Sequence, residues 1–485
     1  MACLDNCGGK RDKWNVLIKP THACNFNCQY CYDEPHRRKF KGTTMTMATL
    51  NKILKLASEY TNNLHIIWHG GEPTLVGIEW YEKAQKIIAL YPNLKITQSI
   101  QTNGSLLNEE WAEFCHKYDV EIGVSFDSPE FQSVRNKDAL KVERSINSFR
   151  NAGGRCGVIT VINNENYKNM IDIYEYFKQS GYGGISFNRI FDTQQADINN
   201  LKIPVEEYNR EMMKFYDYWI HDENNIEERM SQEITNHVFG LGSNICTHGD
   251  CRYGWLSFNP VGGIYPCDRY VPDDYMCGNV HDYDSIEEIY NSEGHKLYSE
   301  NTEVRLKTCI ETCKYAIYCG GGCVATHIEY DKSGKVNDPN ICATYKNLFN
   351  DVYRYWRDLD IYSGKKINKY ATVKLIETPI FTLKEIKSSL ARLGYDPEKM
   401  EYVDTHEGLL ECSEFKIFRM ANPLRVVNLG EEHINYNIHS LDISIDLEDY
   451  EDVFGSIRDT RERVLDEIMK SHSERLNKIL YSGGE

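Results

Sequence analysis

Cys24, Cys28 and Cys31 stand in the spacing C-x3-C-x2-C within the stretch THACNFNCQYCYDEP, with Tyr30 directly before the last cysteine. A closed zinc or iron–sulfur site takes four protein ligands, so three thiols are one short. Three thiolates on a four-iron cube leave one iron open, which a catalytic site keeps and a structural site fills. The fourth ligand is then a cosubstrate. A second group of eight cysteines follows if Cys277 is set aside: Cys246, Cys251, Cys267, Cys309, Cys313, Cys319, Cys323 and Cys342. Eight thiolates suffice for two fully ligated four-iron clusters. Four-thiolate sites also suit zinc.

The chain has 17 cysteines in 485 residues. Its start, MACLDNCGGKRDKWN, has no apolar core and no cleavage site, and no apolar run reaches membrane-spanning length, so a cytoplasmic protein is expected. Thiols stay reduced there, which favours metal binding or catalysis over a disulfide framework. Cys3, Cys7, Cys115, Cys156, Cys277 and Cys412 fall outside both groups and read as structural thiols. The net charge of −17 argues against a nucleic-acid partner, because phosphate binding needs a basic face.

The elements that must position these groups alternate along the first half. Strands are expected at Trp14–Lys19, Leu64–His69, Lys95–Thr102, Glu121–Phe126, Cys156–Ile162 and Ile185–Ile190. Helical apolar spacing covers Met45–Tyr60, Ile78–Leu90, Asn108–Tyr118, Ala139–Asn151 and Tyr167–Gln179. Six strands alternating with crossover helices imply an α/β fold, a parallel sheet forming an open, partial (β/α)6 barrel with its site at the C-terminal strand ends. The strands read as too apolar for a half-exposed sheet, so helices are expected to cover them. The alternation breaks after about Asn224. Residues 240–350 then read as a Cys-rich unit organised by bound metal. The domains are expected at 1–13 (an N-terminal extension), 14–235, 240–350 and 367–485. The last is an α+β segment with strands at Glu414–Arg419 and Ile438–Asp446 and a helix near Asp449–Leu480. No internal repeat or low-complexity tract is present.

The three-cysteine loop follows the first strand, and short motifs end the next three. Gly70, Gly71, Glu72 and Pro73 follow the second; QTNG (Gln101–Gly104), containing Asn103, ends the third; GVSFD (Gly123–Asp127) ends the fourth. Together these resemble the radical S-adenosylmethionine (SAM) superfamily. The resemblance implies a partial six-unit barrel and a 4Fe-4S cluster on Cys24, Cys28 and Cys31 whose open iron is chelated by SAM. An electron from the cluster cleaves SAM to a 5′-deoxyadenosyl radical, supplied by a flavodoxin- or ferredoxin-type donor. It further implies that Tyr30, Gly70, Gly71, Glu72, Asn103, Ser125 and Arg135 surround SAM. In that reading Glu72 meets its ammonium, Ser125 its carboxylate or ribose, and Arg135 its carboxylate.

The second cysteine group resembles the SPASM domain of radical SAM enzymes that modify peptides. That implies one auxiliary cluster on Cys246, Cys251, Cys267 and Cys323 and another on Cys309, Cys313, Cys319 and Cys342, three 4Fe-4S clusters in all. The family usually has C-x2-C where this chain has Cys309-x3-Cys313, which leaves the second ligand set open. YPCDRYVPD (Tyr265–Asp273) resembles the segment of anaerobic sulfatase-maturating enzymes in which an aspartate follows a cluster cysteine. Asp268 holds that place, as a general base beside an electron acceptor; the plainer reading pairs it with Arg269 or makes it a turn cap.

Three functions are weighed. His69 in WHGGEPTLVG and the lack of Pro-Lys in CGGGCVATHIEY resemble ribosomal-peptide maturases, which cross-link side chains or form thioethers on a precursor peptide. The alternative is a sulfatase maturase making formylglycine from Cys or Ser. The remote one is a non-catalytic iron–sulfur electron carrier, which needs no open iron. Residues 367–485 fit leader-peptide recognition or a docking or dimerisation module. Oxygen sensitivity, and hence an anaerobic or facultative setting, follows from the clusters.

Overall fold

The structure, a computed structural model, describes residues 13–131, 134–135, 138–190, 199–222, 224–238, 245–248, 251–269, 273–313 and 315–358, with 373–377, 391–392, 401–404, 409–411, 416–419, 424–428 and 441–444 beyond them. Six strands follow one another as expected: β1 (Trp14–Thr21), β2 (Asn63–Gly70), β3 (Lys95–Thr102), β4 (Val120–Ser125), β5 (Cys156–Ile162) and β6 (Gly184–Arg189). Between them run α1 (Glu34–Lys39), α2 (Met47–Tyr60), α3 (Ile78–Ile88), α4 (Glu109–Tyr118), α5 (Ala139–Asn151) and α6 (Met170–Gln179). Each strand pairs in parallel with the one before it. Polar side chains start the helices: Thr46 accepts from the N–H of Thr49, Asn108 from Trp111 and Asp138 from Lys141.

The Cys-rich region joins this sheet. After α7 (Val205–His221), β7 (Glu227–Glu228) extends it beside β6, and α8 (Arg229–Val238) follows. At the other edge β8 (Trp255–Phe258) pairs in parallel with β1, and β9 (Ile264–Tyr265) turns back antiparallel on β8. The order is β7-β6-β5-β4-β3-β2-β1-β8-β9, an open nine-stranded sheet. The chain continues through α9 (Ile286–Tyr290), α10 (Glu293–Thr312), α11 (Ala316–Cys319), α12 (Val324–Asp331) and α13 (Pro339–Asp358). The expected boundary at 350 falls inside α13, and that at 235 inside α8. Counting cysteines ends the region near Cys342, but α13 runs on to pack against α7 and α8.

The expectation that helices cover the strands holds for one face only. Burial alternates strictly along β2, and the inward positions of β3, β4 and β5 are likewise open. Outward residues such as Val16, Ile66, Trp68, Ile100, Ile122 and Val158 pack in the core with Leu50, Tyr81, Trp111, Ile146 and Phe177 of the helices. Inward residues such as His65, Thr97, Ser99, Glu121 and Gly157 stay open. Isoleucines on the open face, Ile67 and Ile159, had masked this period-two pattern.

Beyond α13, β10 (Val373–Glu377) pairs antiparallel with β14 (Leu424–Asn428). A second antiparallel sheet holds β11 (Glu401–Asp404), β12 (Leu409–Glu411), β13 (Lys416–Arg419) and β15 (Leu441–Ser444). β13 and β15 fall within the two expected strand segments. The helix expected near Asp449–Leu480, residues 1–12, Cys3, Cys7 and Cys412 lie outside the described residues.

Ile66 is fully buried between sheet and helices. Ile66→Ala should remove about 2–5 kcal/mol of stability, seen as a lower unfolding midpoint of the anaerobic protein. Glu121→Ala, on the open face, should leave the midpoint unchanged.

Candidate active site

β1 ends at Thr21 and the cysteine loop begins at once. The Gly70–Glu72 backbone crosses it: the Gly71 N–H donates to the Thr21 carbonyl at 3.2 Å and the Glu72 N–H to the Ala23 carbonyl at 2.8 Å. This approach requires glycine. A Cβ on Gly71 would sit 2.3 Å from the carbonyl oxygens of His22 and Ala23, and one on Gly70 (φ +119°) would sit 2.4 Å from that of Thr21. The loop also aims donors at its sulfurs. The Phe26 N–H donates to Cys24 Sγ at 3.3 Å, and Arg37 Nη1 lies 3.7 Å from Cys31 Sγ. Arg37 also donates to the Phe26 carbonyl at 2.8 Å. Burial pushes the thiol of Cys24 up to about 11 and that of Cys28 to about 12, and neighbouring thiols add to it. Sulfurs so placed keep their protons until a metal displaces them. Three mutually close thiols with N–H donors on the sulfurs fit an iron–sulfur cluster.

The residues expected around SAM ring this loop. Glu72 is fully buried and accepts from the Thr74 N–H, the Thr74 and Thr102 hydroxyls and the Asn103 N–H. Burial raises its pKa, while these donors act against that. It thus ties the ends of β2 and β3 together. Asn103 Nδ2 donates to Asn25 at 2.9 Å and lies 4.0 Å from Cys24 Sγ. Ser125 accepts from Gln101 Nε2 at 2.9 Å. Arg135 is buried, and its Nε donates to Asp127 Oδ2 at 2.7 Å, as does the Tyr30 hydroxyl at 3.1 Å. The Arg135 guanidinium lies 5.3 Å from the Tyr30 ring centroid. Asp127 also accepts from the Val161 N–H at 2.9 Å. Tyr30, Asp127 and Arg135 therefore pin the cysteine loop to β4 and β5, and one Arg135 donor is committed to Asp127.

β8 and β9 carry Asp268 to the end of β1. Its Oδ2 accepts from the Tyr32 hydroxyl at 2.7 Å and lies 3.4 Å from His69 Nδ1. Lys19 Nζ lies 3.3 Å from Oδ1 and donates to the Asp268 carbonyl at 3.1 Å. The carboxylate side chain is 15% exposed, with Oδ1 itself buried. Burial alone would raise its pKa, but His69, Lys19 and Tyr32 bring it below the ordinary carboxylate value, so it is ionised at neutral pH. Arg269, the partner in the plainer reading, instead donates to Thr326 Oγ1 at 2.6 Å beside Cys323 Sγ.

Lys19 was missed from sequence, along with His22, Tyr32, Asp33, Arg37 and Asp127. The signals available were a lysine ending an apolar strand and an acid two residues after the last cysteine. Lys19 is buried and its ammonium donates to Asp33 Oδ1 at 2.9 Å. Asp33 Oδ2 is 2.8 Å from His22 Nδ1. Burial opposes charge on both Lys19 and Asp33, yet Asp268 and Asp33 raise the pKa of Lys19, and Lys19 with His22 and His36 lowers that of Asp33.

The eight later cysteines gather in two groups. Cys323 lies near enough to raise the pKa of Cys246 and of Cys267, Cys246 adds to that of Cys267, and Tyr298 links Cys251 to Cys267 and Cys323. Cys267 is pushed up to about 12 by burial. Cys323 is lowered although burial opposes it, because Arg269 lies beside it and it sits at the N-terminus of α12. Cys309, Cys313, Cys319 and Cys342 together line one cavity of about 260 Å³. The longer Cys309–Cys313 spacing is absorbed where α10 ends at Thr312. Both groups fit clusters by donor type and grouping. Of the remaining thiols, Cys115 and Cys277 are buried and Cys156 is half-buried.

Residues 18–177 match the Radical SAM superfamily. The chain contains a radical SAM domain. The family implies a 4Fe-4S cluster and SAM. The chain is 26% identical over 356 residues to the cysteine-type anaerobic sulfatase-maturating enzyme of Clostridium perfringens, covering 69% of this chain and 95% of the relative. It is 24% identical over 395 residues to the serine-type enzyme of Bacteroides thetaiotaomicron, covering 75% and 94%. The structure of native anSMEcpe with bound AdoMet and the Kp18Cys peptide aligns with a TM-score of 0.61 at 25% identity, over 71% of this chain and 97% of that one. Beyond that domain, the similarity to sulfatase maturases runs over 69–75% of this chain. No helix among the described residues is long and apolar enough to cross a membrane.

Two variants test the site. Gly71→Ala should displace the cysteine loop and abolish SAM binding, with iron per chain falling by the share of one cluster. Lys19→Met leaves Asp33 buried without its ammonium and should cost about 3–5 kcal/mol, measured as a lower unfolding midpoint.

Proposed function

We propose that this enzyme oxidises a residue of a peptide substrate by hydrogen abstraction followed by loss of a proton and an electron. The observation that carries the reading is Asp268: ionised, partly open, next to Cys267 in sequence and held at the end of β1 beside the cysteine loop. Bound to Cys24, Cys28 and Cys31, the cluster and SAM would supply the 5′-deoxyadenosyl radical. Glu72, Asn103, Ser125 and Tyr30 would surround SAM. Asp268 Oδ2 takes the proton released as the substrate radical is oxidised, and His69 and Tyr32 hold the carboxylate in line. Cys246, Cys251, Cys267 and Cys323 would hold the cluster that takes the electron. Cys309, Cys313, Cys319 and Cys342 would hold a second one leading outward.

Among substrates, a ribosomal precursor peptide is our first reading. His69, the residue that resembles the peptide maturases, contacts Asp268 directly. The C. perfringens relative is matched over nearly its whole length by 69% of this chain, so a substantial part of this chain is extra to it. The strands of residues 367–485 suit recognition of a leader peptide. Formylglycine formation on a sulfatase is the second reading, favoured by the relatives' own activity.

Asp268→Asn should leave SAM cleavage intact and slow product formation by about 10²–10⁴-fold, the usual share of a general base. Unchanged product yield would remove Asp268 from the mechanism. Anaerobic co-expression with neighbouring short peptides, and separately with a sulfatase, followed by mass spectrometry, separates the substrates. Loss of two hydrogens from a peptide and resistance to fragmentation between two residues marks a cross-link. A new aldehyde on the sulfatase marks formylglycine.

A further inference from the structure

A buried cation stands behind the second cysteine group. Arg305 lies on α10 four residues before Cys309, so the two share one face of the helix, a turn apart. It is fully buried. Its Nη1 donates to the Gly321 carbonyl and lies 3.4 Å from Asn337 Oδ1. Its Nε and Nη2 have no hydrogen-bond partner among the described residues, and no carboxylate there pairs with the guanidinium. Glu303 of the same helix reaches Lys307 and Arg252 instead. An arginine cannot shed its proton in a protein. A buried charge is costly unless an opposite charge compensates it, so an unpaired one calls for an explanation.

The surroundings of Arg305 point to where that compensation lies. Gly321, Asn337 and Cys309 line the cavity of about 260 Å³ on which Cys313, Cys319 and Cys342 also converge. Asn337 connects cation and sulfur. A guanidinium only donates, so Asn337 turns Oδ1 toward Arg305 and Nδ2 toward Cys309 Sγ, to which it donates at 3.1 Å. Burial raises the thiols of Cys309 and Cys342, and Arg305 acts against that on both. The other basic groups at the cavity differ. Lys346 is exposed, so water and salt screen its charge. His327 accepts from the Asp338 N–H at Nδ1, which leaves Nε2–H facing the Gly321 carbonyl at 3.2 Å. Burial and Arg305 push its pKa down to about 3, so the ring is neutral.

We propose that Arg305 is the buried counter-charge of a cluster on Cys309, Cys313, Cys319 and Cys342 and raises its reduction potential, by its own charge and by turning Asn337 toward Cys309. This rests on the reading above that the second group holds such a cluster. Four thiolates on a four-iron cube leave a net negative charge, and an added electron increases it. Net charge, hydrogen bonds to the sulfurs and burial set the potential of such a group. A fixed cation in a site shielded from water favours the more negative, reduced state. Arg305 acts through the cluster and touches no substrate. Its effect is to hold at the second group the electron that leaves the substrate.

The test is a redox titration of the anaerobic, iron-loaded full chain followed by electron paramagnetic resonance. The signal of the second group is the one lost when Cys309→Ala and Cys342→Ala are combined. Arg305→Gln keeps a side-chain donor but no charge. It should lower the midpoint of that signal by at least about 59 mV, a tenfold fall in the one-electron reduction equilibrium. Arg305→Lys should keep most of the wild-type midpoint. The remaining signals, and SAM cleavage under chemical reductant, should not move. If Arg305→Gln does not load iron, Asn337→Asp is read instead: its carboxylate pairs with the guanidinium, cancels its charge and should lower the midpoint in the same way. An unchanged midpoint in the loaded variant overturns the proposal, as does a fall in Arg305→Lys equal to that in Arg305→Gln. Failure of the cluster reading looks different and ends the proposal with it: the wild type then shows no such signal and holds zinc or no metal at the second group.

Discussion

A single buried ammonium joins the parts of this molecule. Lys19, two residues before the end of β1, meets Asp33 on one side and Asp268 on the other. Asp33 belongs to the cysteine loop, Asp268 to the Cys-rich region. Removing a lysine and an aspartate from water costs several kcal/mol per ion, and the Lys19–Asp33 bond, with Asp268 beside it, offsets that cost. The barrel, the cysteine loop and the hairpin β8–β9 must therefore assemble together. The same contact keeps Asp268 ionised, which is the state a proton acceptor needs.

The sheet serves two solvents. Its outer face buries isoleucine, valine and tryptophan under the helices and supplies the hydrophobic stabilisation. Its inner face is lined by polar and small residues and is open to water. A closed eight-stranded barrel fills its interior with side chains. Six parallel strands with short additions at the edges leave the sheet open, so the interior does not have to be filled.

The cysteines set a second constraint. Burial raises the thiols of Cys24, Cys28, Cys31, Cys246, Cys267, Cys309, Cys319 and Cys342, while Cys323 is lowered by Arg269 and the start of α12. Such sulfurs would ionise only as metal arrives, which would couple folding of the Cys-rich region to metal loading. The four sulfurs at Cys309, Cys313, Cys319 and Cys342 come from the end of α10, the turn after it, α11 and the start of α13, and only the packing of those helices brings them to one cavity.

Much was legible in the chain alone, because it depends on short-range rules. The six strands and their helices follow from periodicity. The cysteine loop follows from local spacing, and the glycines at 70 and 71 from the motif they resemble. The grouping of Cys246 with Cys267 and Cys323, by contrast, came from resemblance and is given geometry only by the fold. What sequence could not supply are contacts between residues far apart in the chain: Lys19 with Asp268, Arg135 with Asp127 across a loop, β8 against β1, and the open face of the barrel. Each depends on where a side chain points once the sheet has twisted and on whether water remains beside it. Composition and spacing carry no record of either, since burial, and with it the state of every charge in the site, is a property of the assembled fold.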